Sequence, residues 1–445
     1  MHSQSARLTD MTTGAILPHI LRFALPLFIG NLFQQFYNTT DSFVVGRFLG
    51  RDSLAALGST TQLVFTVIGF FNGFSTGAQV VISQCFGSKN IASLRKAVHT
   101  AIVSSFFISA LMTALGLFFS PLMLRLISVP EEVFEQATSY ISIYFAGIVF
   151  LIFYNMGSGI LRALGDSKRP LYFLIFSCLV NIILDIVFVV FLKLGIKGVA
   201  WATVISEAIS TIPVLCTLIF TKDIYKLSLK EFKIDFHLLS KMLKIGLPGA
   251  ISSSITAFSN TFMQKYVNAF GSSCIAGWSV FARLDQLVTL PMRSISFSAT
   301  TFTAQNYGAG QKERIKKGIR DSFILSMLLI SFISILLFVF AREISSIFIT
   351  EAESIKYGSL FIRYTAPFYV LCATSMLFSQ ILRGLGKSMA SMLITFSTFV
   401  LLRQSILFIG SRLTSSFALV AIAYPIVWIA ASSAMLLYFR KVIKK

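Results

Sequence analysis

Charge is what this sequence has least of. Only 13% of its 445 residues are Asp, Glu, Lys or Arg, against roughly 25% in a soluble domain. Hydrophobic residues make up 55% and the mean hydropathy is +0.79. A chain with so little polar surface cannot coat a globule in water. That excludes a soluble enzyme, a nucleic-acid module and a disordered protein, and points to an integral membrane protein. Acids are scarcer than bases, 18 against 38, for a net charge of +20. In this apolar setting the excess marks loops facing anionic lipid, not nucleic acid. Cysteine is also sparse. Cys85, Cys178, Cys216, Cys274 and Cys372 are odd in number, sit in apolar runs and form no C-x-x-C pair, so they read as reduced fillers. The four histidines are scattered without metal-enzyme spacing. No G-x-x-x-x-G-K-[ST] occurs, so no ATP-hydrolysing engine and no other catalytic constellation is visible. The first apolar run is too long for a secretory signal and runs on into polar residues and an acid.

What is abundant is long apolar sequence. A helix needs about 20 apolar residues to cross a bilayer. Twelve such stretches occur, at 16–44, 53–84, 95–120, 137–162, 170–192, 198–220, 243–268, 275–306, 319–341, 355–383, 389–410 and 416–439. Pro26, Pro248, Pro291 and Pro367 fall inside spans and can kink them. The even loops and the termini, from Arg7 to Lys445, hold about 24 of the Lys and Arg residues, and the odd loops about nine. The positive-inside rule then places both termini in the cytoplasm, in a multi-pass protein of a bacterial-type plasma membrane.

The chain repeats itself. Ile160-Leu161-Arg162-Ala163-Leu164-Gly165-Asp166-Ser167 reappears 221 residues later as Ile381-Leu382-Arg383-Gly384-Leu385-Gly386-Lys387-Ser388. The same offset aligns Gln84, Phe86 and Gly87 with Gln305, Tyr307 and Gly308, and Leu25-Pro26 matches Leu247-Pro248 at 222. Each half has six spans, an even number, so the halves share one topology and form a parallel repeat. The expected fold is all-α, with twelve transmembrane helices in two six-helix lobes around a central cleft. Residues 1–220 form the N-lobe, the basic stretch 221–242 a cytoplasmic linker and 243–445 the C-lobe. Two lobes of this kind can expose a cleft to alternate sides, which favours a transporter or flippase over a structural scaffold. Because the two lobes lie in one chain, a monomer suffices.

Ionisable groups inside spans are costly and are functional candidates. The acids are Asp41, Asp185, Glu207 and Asp285, three of them in the first half. Arg283, Arg293, Arg363 and Arg403 lie in the second half, and Arg22 in the first span. At 1.5 Å per residue, Asp41 lies roughly 37 Å along its span and Asp185 roughly 22 Å along its own, both in the outer half. Asn181 is one turn below Asp185 on the same face, and Thr203 is near the outer end of span six. Two carboxylates, an amide oxygen and a hydroxyl at one depth are hard ligands that suit Na⁺. They equally suit a proton, since two carboxylates out of water do not readily both ionise. The plainer alternative is that such groups only bridge neighbouring helices. Asp285 stands two residues from Arg283 and can simply neutralise an arginine, while Arg403-Gln404 reads as either a structural pair or a cavity group.

Leu25-Pro26-Leu27-Phe28, then Asp41-Ser42-Phe43-Val44-Val45-Gly46-Arg47-Phe48-Leu49-Gly50, then Leu54-Ala55-Ala56-Leu57-Gly58, resembles the first-span signature of the multidrug and toxic compound extrusion (MATE) transporters. Gln84 with Phe86-Gly87 and the turn Arg162-Ala163-Leu164-Gly165-Asp166 resemble later markers of that family, over nearly the whole chain. The resemblance implies a pump that expels cationic, amphipathic compounds in exchange for Na⁺ or H⁺, with no other cofactor. It carries the cation site onto Asp41, Asn181, Asp185 and Thr203, and offers Gln34, Tyr37 and Asn155 as contacts for small organic cations in the cleft. Spans seven and ten lack the acids that some members place in the C-lobe, so no cation site is expected there. The reading is a secondary antiporter. Its first rival is a flippase for an anionic lipid-linked precursor, which the second-half arginines keep in play, since arginine pairs well with phosphate. The second is a major-facilitator transporter, whose loop pattern Phe86-Gly87-Ser88-Lys89-Asn90 does not match.

Overall fold

A computed structural model describes residues 9–414 and 416–444; Arg7, counted above among the loop charges, lies outside them. Among the described residues every regular element is helical. The first half holds α1 (Ile16–Val44), α2 (Gly50–Gly87), α3 (Ile91–Leu126), α4 (Glu131–Ala163), α5 (Lys168–Ile186) and α6 (Gly195–Phe220). The second holds α7 (Phe236–Asn268), α8 (Ser272–Gly308), α9 (Lys312–Val339), the short α10 (Ala341–Phe348), α11 (Ala352–Thr365), α12 (Tyr369–Gly384), α13 (Ser388–Thr395), α14 (Arg403–Leu413) and α15 (Ala418–Ile443). α11 and α12 join through a 3₁₀ turn into the tenth span, and α13 and α14 through a π-helical stretch, Phe396–Leu402, into the eleventh. With α15 as the last, the layout has twelve spans.

Length and hydropathy alone mark nine spans among the described residues, the first of them a continuous run of 72 residues, Ile16–Gly87, that holds two crossings. The two that hydropathy misses are α7 and α8. Their sequences carry Ser252-Ser253-Ser254 in one and Arg283, Asp285, Gln286 and Arg293 in the other. The apolar signal is weakest there because those helices carry polar groups at membrane depth.

The repeat is written into the backbone as well as the side chains. Left-handed residues recur 221 apart: Gly50 and Gly271 both have φ 86°, Gly165 and Gly386 have 83° and 75°, and Lys89 and Gly310 have 57° and 70°. These turns fix where α2 and α8, α5 and α13, and α3 and α9 begin. A φ this positive costs glycine little, which is why the Gly-rich turns are shared by the two halves.

The chain divides into two compact units. One is Leu25–Gly246 with the chain up to Met11; the other is Leu247–Lys445 with Thr12–Ala24. The division therefore cuts α1 just before Leu25-Pro26 and α7 just before Leu247-Pro248, the matched pair of the sequence. A proline there removes one helical hydrogen bond and leaves a carbonyl one turn earlier without its donor. In the first unit, Gly77 of α2 lies against Met242 and Gly246 of α7, where any Cβ would strike backbone. In the second unit the position 221 further on, Ser298 of α8, donates to the carbonyl of Ile20 on α1 at 3.0 Å. Each unit thus includes the opening turns of the helix that continues into the other.

The loop between the halves is shorter than its polar composition implies. It ends at Asp235, whose carboxylate accepts from the backbone N–H groups of His237 and Leu238 at 3.0 and 3.1 Å and starts α7 at Phe236. It is also strapped to the first unit. Arg95 Nε donates to Ile224 O, His99 Nε2 accepts from Ser228 N at 3.0 Å, Thr100 Oγ1 accepts from Asp235 N, and Arg169 donates to the buried Tyr225 hydroxyl.

Candidate functional site

The first unit is built around α4, which packs along α2, α3 and α6. Lipid is as apolar as leucine, so small residues that let helices approach do more here than greasy ones. A Cβ at Gly147 of α4 would overlap the branched side chain of Val204 on α6. That close approach brings the faces bearing Tyr140 and Tyr144 on α4 and Thr203 and Glu207 on α6, each pair one turn apart, into one region.

Around it four polar side chains are almost wholly enclosed: Asp41 is 7% exposed, Asn181 and Asp185 0%, and Thr203 3%. Asp41 is within electrostatic reach of both Asp185 and Cys178, two residues on one face of α5 with Asn181 between them. Thr203 Oγ1 donates to Val199 O at 3.1 Å and accepts from the Tyr37 hydroxyl at 3.4 Å. The protein satisfies little else. Asp41 Oδ1, both carboxylate oxygens of Asp185, and Asn181 Oδ1 and Nδ2 are buried with no hydrogen-bond partner. Each orphan of this kind normally costs about 1–3 kcal/mol. The Asp41 and Asp185 carboxyls lie within hydrogen-bond reach of each other, with the Tyr37 hydroxyl beside Asp41, so a proton shared by the two acids satisfies part of this group.

π-helical turns come directly after both site acids, Val45–Leu49 after α1 and Val187–Phe191 after α5, and the two turns touch each other. A π turn inserts one residue into the helix and rotates the side chains beyond it to a new face, a feature common at functional sites. The sequence carries no recognisable mark of them.

The three substrate-contact candidates separate. Tyr37 joins the enclosed group through Thr203. Gln34, one turn before it on α1, is exposed. Asn155 on α4 turns its amide back to Leu151 O at 2.9 Å, while its own carbonyl accepts from Ser75 Oγ at 2.7 Å. Three groups assigned no site role from sequence belong to the same region: Glu207, Tyr140 and Tyr144. The Glu207 carboxylate acts electrostatically on the hydroxyls of Tyr37, Tyr140 and Tyr144. The i, i+4 spacings 140/144 and 203/207 were the available signal.

In the second unit Asp285 and Arg403 have side-chain partners, while the Nε atoms of the buried Arg383 and of Arg403 have none. Tyr369 donates to Asp285 Oδ1 at 2.9 Å, so this acid's partner is a tyrosine on α12 and not the neighbouring Arg283, which is exposed. Arg403 is 1% exposed; its Nη1 donates to Asn260 Oδ1 at 2.8 Å, and its guanidinium lies 5.0 Å from the ring centroids of Phe399 and Tyr424. It ties α7, α14 and α15 together as a structural group. Arg293 and Arg363 are exposed like Arg283, so of the four arginines only Arg403 is enclosed.

Twelve spans in two repeated units, with unpartnered acids inside one of them, define a membrane transporter of the parallel-repeat kind. The chain belongs to the MatE family, whose signature matches residues 26–187 and again 248–409, the two matches 222 residues apart. The probable multidrug resistance protein YoeA of Bacillus subtilis is 32% identical over 82% of this chain and 80% of its own length. The probable multidrug resistance protein YpnP of the same organism is 28% identical over 88% of each chain. Among solved structures, an outward-facing multidrug resistance MATE family transporter superposes with a TM-score of 0.92 at 23% identity, covering 100% of this chain and 99% of that one. It shares the fold.

Proposed function

We propose that the protein is a secondary antiporter that exports cationic, amphipathic drugs and toxic compounds in exchange for inward Na⁺ or H⁺, by alternating access. The observation that carries this reading is the cluster of buried, unpartnered donors at Asp41, Asn181 and Asp185, with Thr203 beside them. A cation entering the cluster satisfies the orphaned oxygens together; leaving, it restores their cost. Two packings of the unit that differ in how they hold these acids differ in ion affinity. Only such a difference lets an ion gradient drive a conformational cycle. The relatives named for multidrug resistance support the cargo class. Both termini lie in the cytoplasm by the positive-inside count.

The test is efflux of a cationic dye from proteoliposomes with Na⁺ and pH gradients imposed separately. Efflux driven by either gradient in the wild type, and lost in Asp41→Asn, is the expected result and names the ion. Equal efflux with no gradient, or undiminished efflux in Asp41→Asn, removes the antiport mechanism.

A further inference from the structure

The segment 221–246, which joins α6 to α7 within the first unit, carries six lysines: Lys222, Lys226, Lys230, Lys233, Lys241 and Lys244. All six are exposed, and among the described residues none lies within ion-pair distance of an acid. The segment's three acids are occupied elsewhere. Asp223 accepts from the Thr221 hydroxyl at 3.2 Å, Asp235 accepts from the N–H groups that start α7, and Glu231 stands 3.9 Å from His99 Nε2. The positive charge is therefore left to whatever lies outside the chain. Large apolar side chains stand among the lysines. Phe236 is 77% exposed and Phe232 43%, and Phe220, just before the segment, is 77% exposed. The positive-inside rule accounts for the lysines but not for exposed phenylalanines beside them.

The contacts that strap the segment to α3 set its depth. Ile224 O accepts from Arg95, Ser228 N donates to His99 and Asp235 N donates to Thr100, all within the opening turns of α3. The Phe232 ring lies edge-on to the His99 ring, 6.3 Å between centroids. Beyond Thr100, α3 has no Asp, Glu, Lys, Arg or His before Arg125. That run is roughly 36 Å long at 1.5 Å per residue, enough for the hydrocarbon core. Thr100 thus marks the edge of the apolar layer, and Asp235 and Phe236 are held at it. The opening of α7 is two-sided there: Leu238, Met242 and Ile245 are buried, while Phe236, Lys241 and Lys244 are exposed. Lysine and phenylalanine together on the outer side of a segment at this level are the mark of an interfacial element.

We propose that this strap is a docking surface for the anionic phospholipids of the cytoplasmic leaflet. Lys226, Lys230, Lys233 and Lys241 receive headgroup phosphates, and Phe232 and Phe236 enter the boundary between headgroups and acyl chains. Each lysine near an anionic surface adds to the attraction, and a backbone already pinned to α3 gives up little freedom on binding. The assignment uses the cytoplasmic placement given by the positive-inside count. It needs nothing of the antiport cycle, so either reading can fail alone.

The test uses the full chain in nanodiscs of mixed phosphatidylcholine and phosphatidylglycerol. Phe236→Trp supplies a probe, read as the fluorescence difference from the same protein without it. Brominated acyl chains quench a tryptophan only on contact, so brominating one lipid and then the other gives their relative affinity at the strap. The expected result is a preference of about fivefold for phosphatidylglycerol, falling to none when Lys226→Gln, Lys230→Gln, Lys233→Gln and Lys241→Gln are combined. A second reading needs no lysine variant: added salt is expected to erase the preference in Phe236→Trp itself. Equal quenching by the two lipids, or a preference that survives both salt and the Gln changes, overturns the proposal. So does quenching by aqueous acrylamide and by neither brominated lipid, which would put the strap in water. Inorganic phosphate is added at constant ionic strength as the last arm. Loss of the preference there would make the partner a soluble phosphate compound instead of the leaflet, and the proposal would fall.

Discussion

The two units carry the same helices in the same order and treat charge in opposite ways. In the first, Asp41, Asp185 and Glu207 have no basic partner among the described residues, and the Asn181 side chain has no hydrogen-bond partner there. In the second, Asp285 is held by Tyr369, and Arg403 by Asn260 and two aromatic rings. At offsets of 221 and 222, Asp41 corresponds to Phe262 and Met263, and Asp185 to Ile406 and Leu407. The second copy has apolar side chains where the first has its two acids, and sets Arg403 at the place of Asn181 (offset 222) and Tyr424 at that of Thr203 (offset 221). An incomplete site costs stability, and it persists where an outside partner completes it. On the antiport reading proposed above, this difference puts the ion in the first unit and leaves Arg403 a structural role in the second.

The sharpest way to break that assignment is to remove one acid from each unit. Asp41→Asn is expected to cut gradient-driven efflux by about a hundredfold or more, the scale of losing a functional intramembrane charge. Asp285→Asn, which keeps a group able to accept from Tyr369, is expected to leave the gradient response intact. Loss of coupling in both would mean that the second unit also carries the ion.

Stability should separate the units next. Arg403→Met strips a buried group from its Asn260 and ring contacts and is expected to cost about 3 kcal/mol, seen as a clear fall in the melting temperature in detergent. Asp185→Asn removes an unsatisfied carboxylate charge and is expected to leave that temperature unchanged or higher. A fall in both would erase the distinction.

The matched contacts at the starts of α1 and α7 come third. Gly77→Ala forces a methyl group against Met242 and Gly246 and is expected to cost about 2 kcal/mol. Ser298→Ala at the matched position loses one hydrogen bond to Ile20, about 1 kcal/mol. The smallest effect is at the turns before α5 and α13. Asp166 Oδ1 accepts from the N–H groups of Lys168 and Arg169, and Lys387 stands at the matched place with no such cap. Asp166→Asn should cost about 0.5 kcal/mol and Lys387→Asp should gain a similar amount, both read by thermal unfolding.

Much of the architecture was legible because it arises from gross composition and repetition. Apolar runs gave the spans, the offset of 221 gave the two halves, and the Gly-rich turns reappear as matched left-handed residues. Hydropathy alone loses α7 and α8, since their polar residues dilute the signal; the repeat is what identifies them as spans. Helix periodicity brought Asn181 and Asp185 together, but Glu207's place beside the tyrosines depends on how closely α4 meets α6 at Gly147. The structural role of Arg403 rests on Asn260, 143 residues away, a pairing that no local pattern encodes. The π turns and the exchange of helix starts are likewise tertiary, and nothing in the local sequence announces them.

That exchange bears on how the chain is made. Residues 12–24 leave the ribosome well before Ser298, which holds Ile20 and is synthesised 278 residues after it. The opening of α1 therefore enters the membrane without its final neighbours and acquires them only when α8 has been made. A gene split in the loop before Phe236 would leave each fragment lacking the stretch that the other supplies. Two fragments expressed together should recover a folded protein, and either one alone should be cleared by the cell.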